Sequence, residues 1–401
     1  MPLPRRERSS RFIGTGEGET DCPLLAPLPC SLSLPTSWRG LASPLHWARP
    51  VIFVWQGQAR GAPNAAPVQH GHTDAGSPRS NPAQVEAPPL TLAEVAETAE
   101  SIIANISRVI FGKRQVIEEA LVGLLCSGHV LFEDVPGVGK TMLARAFAVS
   151  LGCTYRRIQF TPDLLPSDVT GVSIYDQARQ EFRFVAGPVF ANVVLADEIN
   201  RASPKTQSAL LECMEEGQVT VDGVAHPLSR PFVVMATENP IEYEGTYPLP
   251  ESQLDRFMMR LRIGYPSRDD ERAVVLEQQR EHPIRRIQAV TAVPTVLAMQ
   301  RAVREVRVQE RAQEYILDLV AATRNHPQIY LGASPRGSLY LFRTAQALAA
   351  ISGLDYVLPD HVKRLATAVL GHRIIVRPEA RIAGASAADI VGEILSSVPV
   401  D

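Results

Sequence analysis

A lysine and a threonine behind two glycines, and two carboxylates closing an apolar run, are the residues of this chain best suited to phosphate chemistry. Residues 132–141 read FEDVPGVGKT, and residues 190–198 read FANVVLADE, ending in Asp197 and Glu198. A strand feeding a glycine-rich turn and then a helix lets successive backbone N–H groups wrap a polyphosphate at the positive end of the helix dipole. In that arrangement Pro136, Gly137, Val138, Gly139, Lys140, Thr141 and Met142 form the cradle, Lys140 reaches the β and γ phosphates, and Thr141 ligates Mg²⁺. ATP is the ligand such a cradle implies, and its hydrolysis the reaction. The strict phosphate-loop pattern asks for glycine where this chain has Asp134, and a chance Gly-rich turn would also read GVGKT. The carboxylates argue against chance. Their apolar run suits a strand buried on both faces of a parallel sheet, and ligands gather at the C-terminal ends of such strands. Two acids there are costly unless a metal and a water use them.

The elements that must position these residues follow from periodicity. Amphipathic helical spacing begins at Thr91, with a second helix over 116–126. A strand over 129–133 precedes the phosphate loop, and a helix over 140–151 and a strand over 155–160 follow it. Short strands at 172–175 and 181–185 read as a hairpin, and a second hairpin turns at Asp222-Gly223. Between them a helix over 203–216 is capped by Ser203 with Pro204 in its first turn. Another buried strand spans 232–236. Beyond Pro266 the pattern is helical throughout, at 268–280, 294–305, 309–324, 335–352, 359–372 and 387–397. Strands alternating with helices, then helices alone, predict an α/β domain with a parallel sheet over 91–265 and an α-helical lid over 266–401.

Composition bounds the rest. The 401 residues carry a net charge of −3 and 45% apolar side chains, which suits a chain of two or three domains. No basic stripe, zinc module or helix-turn-helix signature appears, so no nucleic-acid partner is expected. No apolar run approaches the roughly 20 residues of a membrane span. The five cysteines form no C-x-x-C pair and no zinc spacing, and they read as reduced thiols of a cytoplasmic protein. Residues 1–90 are a different material: they hold 14 of the 32 prolines, all three tryptophans and no lysine. That segment reads as a disordered extension, or as the product of a start site placed too far upstream.

Taken in order, these motifs resemble the MoxR family of AAA+ ATPases, in the branch that includes the magnesium-chelatase ATPase subunit. The resemblance covers about residues 91–401 and is most specific at GPVFANVVLADEINRASPKTQSALLECMEEGQVTVDG (187–223), ATENPIEYEGTYPLPESQLDRF (236–257) and GASPRGSLYLFRTAQALA (332–349). It implies that Asp197 holds the metal through its water shell and that Glu198 polarises the attacking water, a positioning role that phosphoryl transfer needs most. Asn239 resembles the first sensor, Arg256 an arginine finger given to a neighbour's ATP, and Arg336 the second sensor, acting in cis or across the interface. Gly112 and Lys113 resemble the segment lining the adenine pocket. The resemblance further implies a homo-oligomeric ring, hexameric in form, a chaperone-like or maturation role, and partners carrying a von Willebrand factor A domain.

Plainer readings stand beside these. Asn239 before Pro240 would cap a turn, Arg256 would pair with the adjacent Asp255, and Arg336 would be an ordinary first-turn helix arginine. A nucleotide-dependent switch or scaffold with negligible turnover is the rival function, and a chelatase or DNA-translocase subunit a third. No aromatic-glycine loop of the kind used by polypeptide-threading rings is found; GVSIY (171–175) comes nearest.

Overall fold

The computed structural model describes residues 87–400 except 241–244, 278 and 280; the extension read at 1–90 lies outside them apart from 87–90. Helices α1 (Leu92–Ser107) and α2 (Arg114–Leu125) lead into strand β1 (Val130–Glu133), helix α3 (Lys140–Ser150) and strand β2 (Tyr155–Gln159). A short helix α4 (Pro166–Thr170) and the hairpin β3–β4 (Gly171–Asp176, Glu181–Ala186) precede β5 (Val193–Asp197). Then come α5 (Pro204–Glu216), the hairpin β6–β7 (Gln218–Val221, Val224–Pro227), β8 (Val233–Glu238), α6 (Glu251–Leu254) and β9 (Met259–Leu261). Helices α7 (Arg268–Glu277), α8 (Val293–Arg304) and α9 (Glu310–Asn325) follow, then β10 (Ile329–Leu331), α10 (Pro335–Ile351), α11 (Pro359–Leu370), β11 (Ile375–Val376), α12 (Pro378–Ile382) and α13 (Ala387–Ser397).

Five strands form one parallel sheet in the order β2-β5-β8-β1-β9. Their side chains alternate between two apolar layers, as the period of two in a strand requires. Val130, Phe132, Val193, Leu195, Val233 and Met235 face one layer, and Leu131, Val194, Ala196, Val234 and Ala236 face the other. Burial on both faces explains why these strands read as continuous apolar runs. Because β1, β5 and β8 are neighbours, the phosphate loop after β1, the carboxylates after β5 and Asn239 after β8 emerge side by side at one sheet edge.

The first layer does not stop at the sheet. A single apolar cluster runs from α1, α2 and α3 into α8, α9, α10, α11 and α13, with α1 and α2 packed on both α8 and α10. Two buried amides stitch this layer: Asn105 Nδ2 donates to Ser150 Oγ and to Gln288 O, both at 2.9 Å, and Gln300 Nε2 donates to Leu124 O at 2.8 Å.

Two expectations are corrected. The region beyond Pro266 is not helical throughout, because β10 and β11 pair antiparallel within it. The sheet also has a fifth strand, β9, which three residues following a turn did not announce. Among the described residues no helix is long and apolar enough to cross a membrane. Burial pushes the Cys153 thiol up to about 11 and that of Cys213 up to about 12, so neither is a thiolate at neutral pH.

Candidate active site

The loop after β1 is shaped by its glycines. Gly137 and Gly139 hold φ of 85° and 96°, in the left-handed region that costs a side chain but not glycine. Nothing lies within 4 Å of a Cβ built on Gly137, so backbone conformation, rather than crowding, requires the residue. Helix α3 starts directly behind, aiming the unsatisfied N–H groups of its first turn at the space above the sheet edge. Asp134, in the place of the usual first glycine, accepts from Val135 N at 2.9 Å and from Gly264 N at 2.6 Å. It thereby ties the start of the loop to the segment after β9. Lys140 Nζ donates to the carbonyls of Asp134 at 2.5 Å and Glu238 at 3.5 Å. Burial lowers the pKa of its ammonium, an effect opposed by Asp134, Asp197, Glu198 and Glu238.

The two carboxylates are held differently. Asp197 is buried at the end of β5, where Thr237 Oγ1 donates to its Oδ1 at 2.6 Å. Its Oδ2 accepts from Arg157 Nε at 2.9 Å and Nη2 at 2.7 Å, and lies 3.4 Å from Thr141 Oγ1. Glu198 adopts a left-handed backbone with φ 57°, a conformation uncommon for a residue with a side chain. Its N–H donates to Thr237 Oγ1 at 2.8 Å, while its Oε2 accepts from Gln159 Nε2 at 2.8 Å and pairs with Arg201 Nε at 3.2 Å. One buried hydroxyl, that of Thr237, therefore fixes both acids.

Pro136, Gly137, Gly139, Lys140, Thr141, Met142, Asp197, Glu198, Thr237 and Asn239 line one cavity of about 300 Å³. Nine of the residues expected from sequence are brought together there. Val138 is not among them and packs against the apolar layer instead. Asn239 is buried at the tip of β8, its carbonyl accepting from Asn200 Nδ2 at 3.4 Å. The cavity pairs cationic and N–H donors with a hydroxyl and a carboxylate on one side, the complement of a polyphosphate bearing a hard divalent cation. Thr141 and Asp197 supply two hard oxygens only 3.4 Å apart, which fits Mg²⁺, an ion that completes its shell with phosphates and water.

Arg256 and Arg336 lie elsewhere. Both line a second cavity, of about 200 Å³, shared with His129, Glu215, Arg304, Tyr340 and Arg343 and having no lining residue in common with the first. Arg256 Nη2 is 3.1 Å from Glu215 Oε2, and Arg336 Nη2 donates to Glu215 Oε1 at 3.0 Å. The local Arg256–Asp255 pair does not form; Asp255 meets Arg373 Nε at 3.0 Å and Arg336 Nη1 at 3.8 Å. Gly112 and Lys113 line neither cavity. Gly112 abuts the Asp270 carboxylate, and Lys113 Nζ donates to Tyr265 O at 2.8 Å, so both touch the stretch that leads out of the sheet.

Arg157, Gln159, Thr237 and Glu215 were not expected from sequence. Gln159 and Thr237 sit at the C-terminal ends of β2 and β8, where a polar residue beside apolar neighbours is the one available signal, and Arg157 lies mid-strand in β2 behind a second arginine. Glu215 carries none, being one of two glutamates at a helix end.

Comparison with known proteins adds an independent line. The model of the ATPase family associated with various cellular activities (AAA) matches residues 129–259, and that of the AAA lid domain matches residues 321–394. The uncharacterized protein YeaC of Bacillus subtilis is 55% identical, across 74% of this chain and 93% of its own length. The chaperone MoxR1 of Mycobacterium tuberculosis is 42% identical, across 82% of this chain and 89% of its own. A crystal structure of a candidate ATPase from Cytophaga hutchinsonii superposes with a TM-score of 0.72 at 39% identity, covering 77% of this chain and 97% of that one.

Proposed function

The chain belongs to the MoxR family of AAA+ ATPases, and from that premise we propose that it hydrolyses ATP in a homo-oligomeric ring and spends the energy on a chaperone-like or maturation task. The observation that carries the reading is the convergence on one cavity of the α3 N-terminus, Lys140, Thr141, the Asp197–Glu198 pair and Asn239. In this reading residues 136–142 wrap the triphosphate and Lys140 leaves its carbonyl partners to meet the β and γ phosphates. Bound Mg²⁺, held by Thr141 and Asp197, neutralises charge that develops on the transferred phosphoryl group. Glu198 orients and polarises the attacking water, and Asn239 stands between that water and the γ-phosphate. Gly112 and Lys113 border the adenine.

Arg256 and Arg336 share a cavity that contains none of the phosphate-binding residues. This favours their use on a neighbouring subunit's nucleotide rather than on their own. An arginine supplied in trans raises phosphoryl transfer about 10³–10⁵-fold, so turnover depends on assembly. A hexamer, a cytoplasmic setting, a lid beginning after residue 265 and a partner with a von Willebrand factor A domain belong to the same proposal. The name of the related chaperone MoxR1 supports the chaperone-like role.

The rival reading, a switch with negligible turnover, draws on the capture of Glu198 by Gln159 and Arg201. The deciding experiment is Mg²⁺-ATPase rate per subunit against protein concentration, with light scattering on the same samples, for the wild type and Glu198→Gln. A rate that climbs as rings form and vanishes in a variant that still binds ATP supports the ATPase. A flat, near-zero wild-type rate despite ATP-driven assembly supports the switch.

A further inference from the structure

The turn that carries Arg256 is gripped by a buried arginine from the other end of the chain. Arg373 follows α11, and its side chain is only 1% exposed. Its Nη1 donates to Met258 O at 3.3 Å and also reaches Val369 O; its Nη2 donates to Asp255 O at 3.2 Å and also reaches Phe257 O. The guanidinium carbon sits 4.8 Å from the centroid of the Tyr340 ring, on α10. Three of the four carbonyls it satisfies, those of residues 255, 257 and 258, flank Arg256 itself. Its Nε lies 3.0 Å from Asp255 Oδ1, and the other oxygen of Asp255 accepts from Ser334 Oγ, the N-cap of α10, at 3.3 Å. Arg336, in the first turn of the same helix, faces Asp255 and Glu215, and Glu215 in turn meets Arg256.

A junction that served packing alone would be cheaper without this group. Taking a guanidinium out of water costs several kcal/mol, roughly, before its partners offset it, and apolar replacements of buried ion pairs are often neutral or stabilising. What a guanidinium provides and a leucine cannot is a rigid fork of donors that fixes several carbonyls at once. Here that fork fixes the backbone on both sides of one half-buried arginine, and it comes from the helical part of the chain.

We propose that Arg373 is a positioning residue for Arg256: by clamping the 255–258 turn to the α10–α11 junction, it makes the reach of Arg256 toward a neighbouring nucleotide depend on how that junction is oriented. The inference rests on the reading of Arg256 as a group used in trans. It explains why Asp255 is withheld from Arg256, its sequence neighbour, and given to Arg373.

The test uses full-length protein and mixed rings. Arg373→Lys keeps the charge but loses the fork. Its turnover alone should fall about 10²-fold, the cost of misplacing a reacting group by about 1 Å, while ATP affinity of its own site stays within about threefold, since the cradle is untouched. Mixed with Glu198→Gln subunits, whose Arg256 and Arg373 are intact, it should recover turnover, because its own sites then face a correctly presented arginine. A variant that stays inactive beside those subunits, or that loses ATP binding, has a structural defect and overturns the proposal; so does an unchanged rate. Should Arg373→Lys not fold, Asp255→Asn serves instead: it removes the carboxylate charge that orients the Arg373 fork through Nε, and with it the ion pair to Arg336. A loss recovered by mixing supports the proposal, and an unaffected or unrecovered rate overturns it. Arg256→Ala in the same assay separates the two levels: if its rate equals wild type, the trans reading itself has failed.

Discussion

Replacing Thr237 with valine removes one hydroxyl and almost no volume, yet it should disable both carboxylates. The side chain is fully buried, donates to Asp197 Oδ1 at 2.6 Å and accepts from Glu198 N at 2.8 Å. A hydrogen bond to a charged acceptor is worth about 1.5–3 kcal/mol, and a backbone N–H left without a partner costs about 1–3 kcal/mol. Asp197 keeps Arg157 on its other oxygen, so the lower half of that combined range applies, about 3 kcal/mol of stability. The kinetic effect should be larger in kind. Glu198 is held in a left-handed backbone with φ 57°, and without the Thr237 acceptor that conformation relaxes and carries the carboxylate away from the γ-phosphate. Turnover should fall about 10²-fold with little change in KM. Urea unfolding with linear extrapolation measures the first quantity, and steady-state Mg²⁺-ATPase assays the second. Thr237→Ser, which keeps the hydroxyl, should restore most of both. A valine variant within about 0.5 kcal/mol of wild type, or a serine variant as impaired as valine, would show that the hydroxyl does not hold the acids.

Three further outcomes are expected. His129 accepts from Val234 N through Nδ1 and donates from Nε2 to Met214 O, each at 3.0 Å, and burial pushes its pKa down to about 4; burial also holds His372 well below its ordinary value. The unfolded chain then takes up protons first, so stability is full above pH 6.5 and falls toward pH 4; by pH 5.5 His129 alone should cost about 1 kcal/mol, with His372 acting in the same direction, and equal urea midpoints at pH 7.5 and 5.5 would contradict this. Glu215→Gln releases both Arg256 and Arg336 from one partly exposed carboxylate, so stability should change by less than about 1 kcal/mol while turnover of assembled protein rises up to about fivefold; a fall in turnover at full assembly counts against restraint by Glu215. Arg157→Ala removes the cation that occupies Asp197 Oδ2, and the Mg²⁺ concentration for half-maximal activity should drop roughly fivefold, with an unchanged Mg²⁺ titration as the opposing result.

Much of the nucleotide end of the molecule was legible because its signals are local. Two glycines before Lys140 and Thr141 need only their own backbone angles to make a loop, and a run such as residues 190–196 suits a strand buried on both faces of a parallel sheet. What escaped notice depends on pairing across the chain. Strand β9 exists because residues 259–261 lie along β1, and β10 because 329–331 meets 375–376; three residues carry no period of their own. The partners of the carboxylates were hidden for the same reason: Arg157 and Gln159 reach Asp197 and Glu198 only when β2 lies beside β5. The adjacency of Asp255 and Arg256 even misdirected, since a buried Arg373 arriving 118 residues later takes the carboxylate.

The apolar layer that runs unbroken from α1 and α2 into α8 and α10 changes how the molecule could be cut. A fragment ending at residue 265 would retain all five strands and the whole phosphate loop, yet Ile102, Ile106, Leu121 and Leu125 would lose the helices that cover them. Such a fragment should aggregate rather than bind nucleotide as a free-standing module. The helices preceding the phosphate loop and those following the sheet are thus halves of one buttress, split in sequence by the machinery they brace.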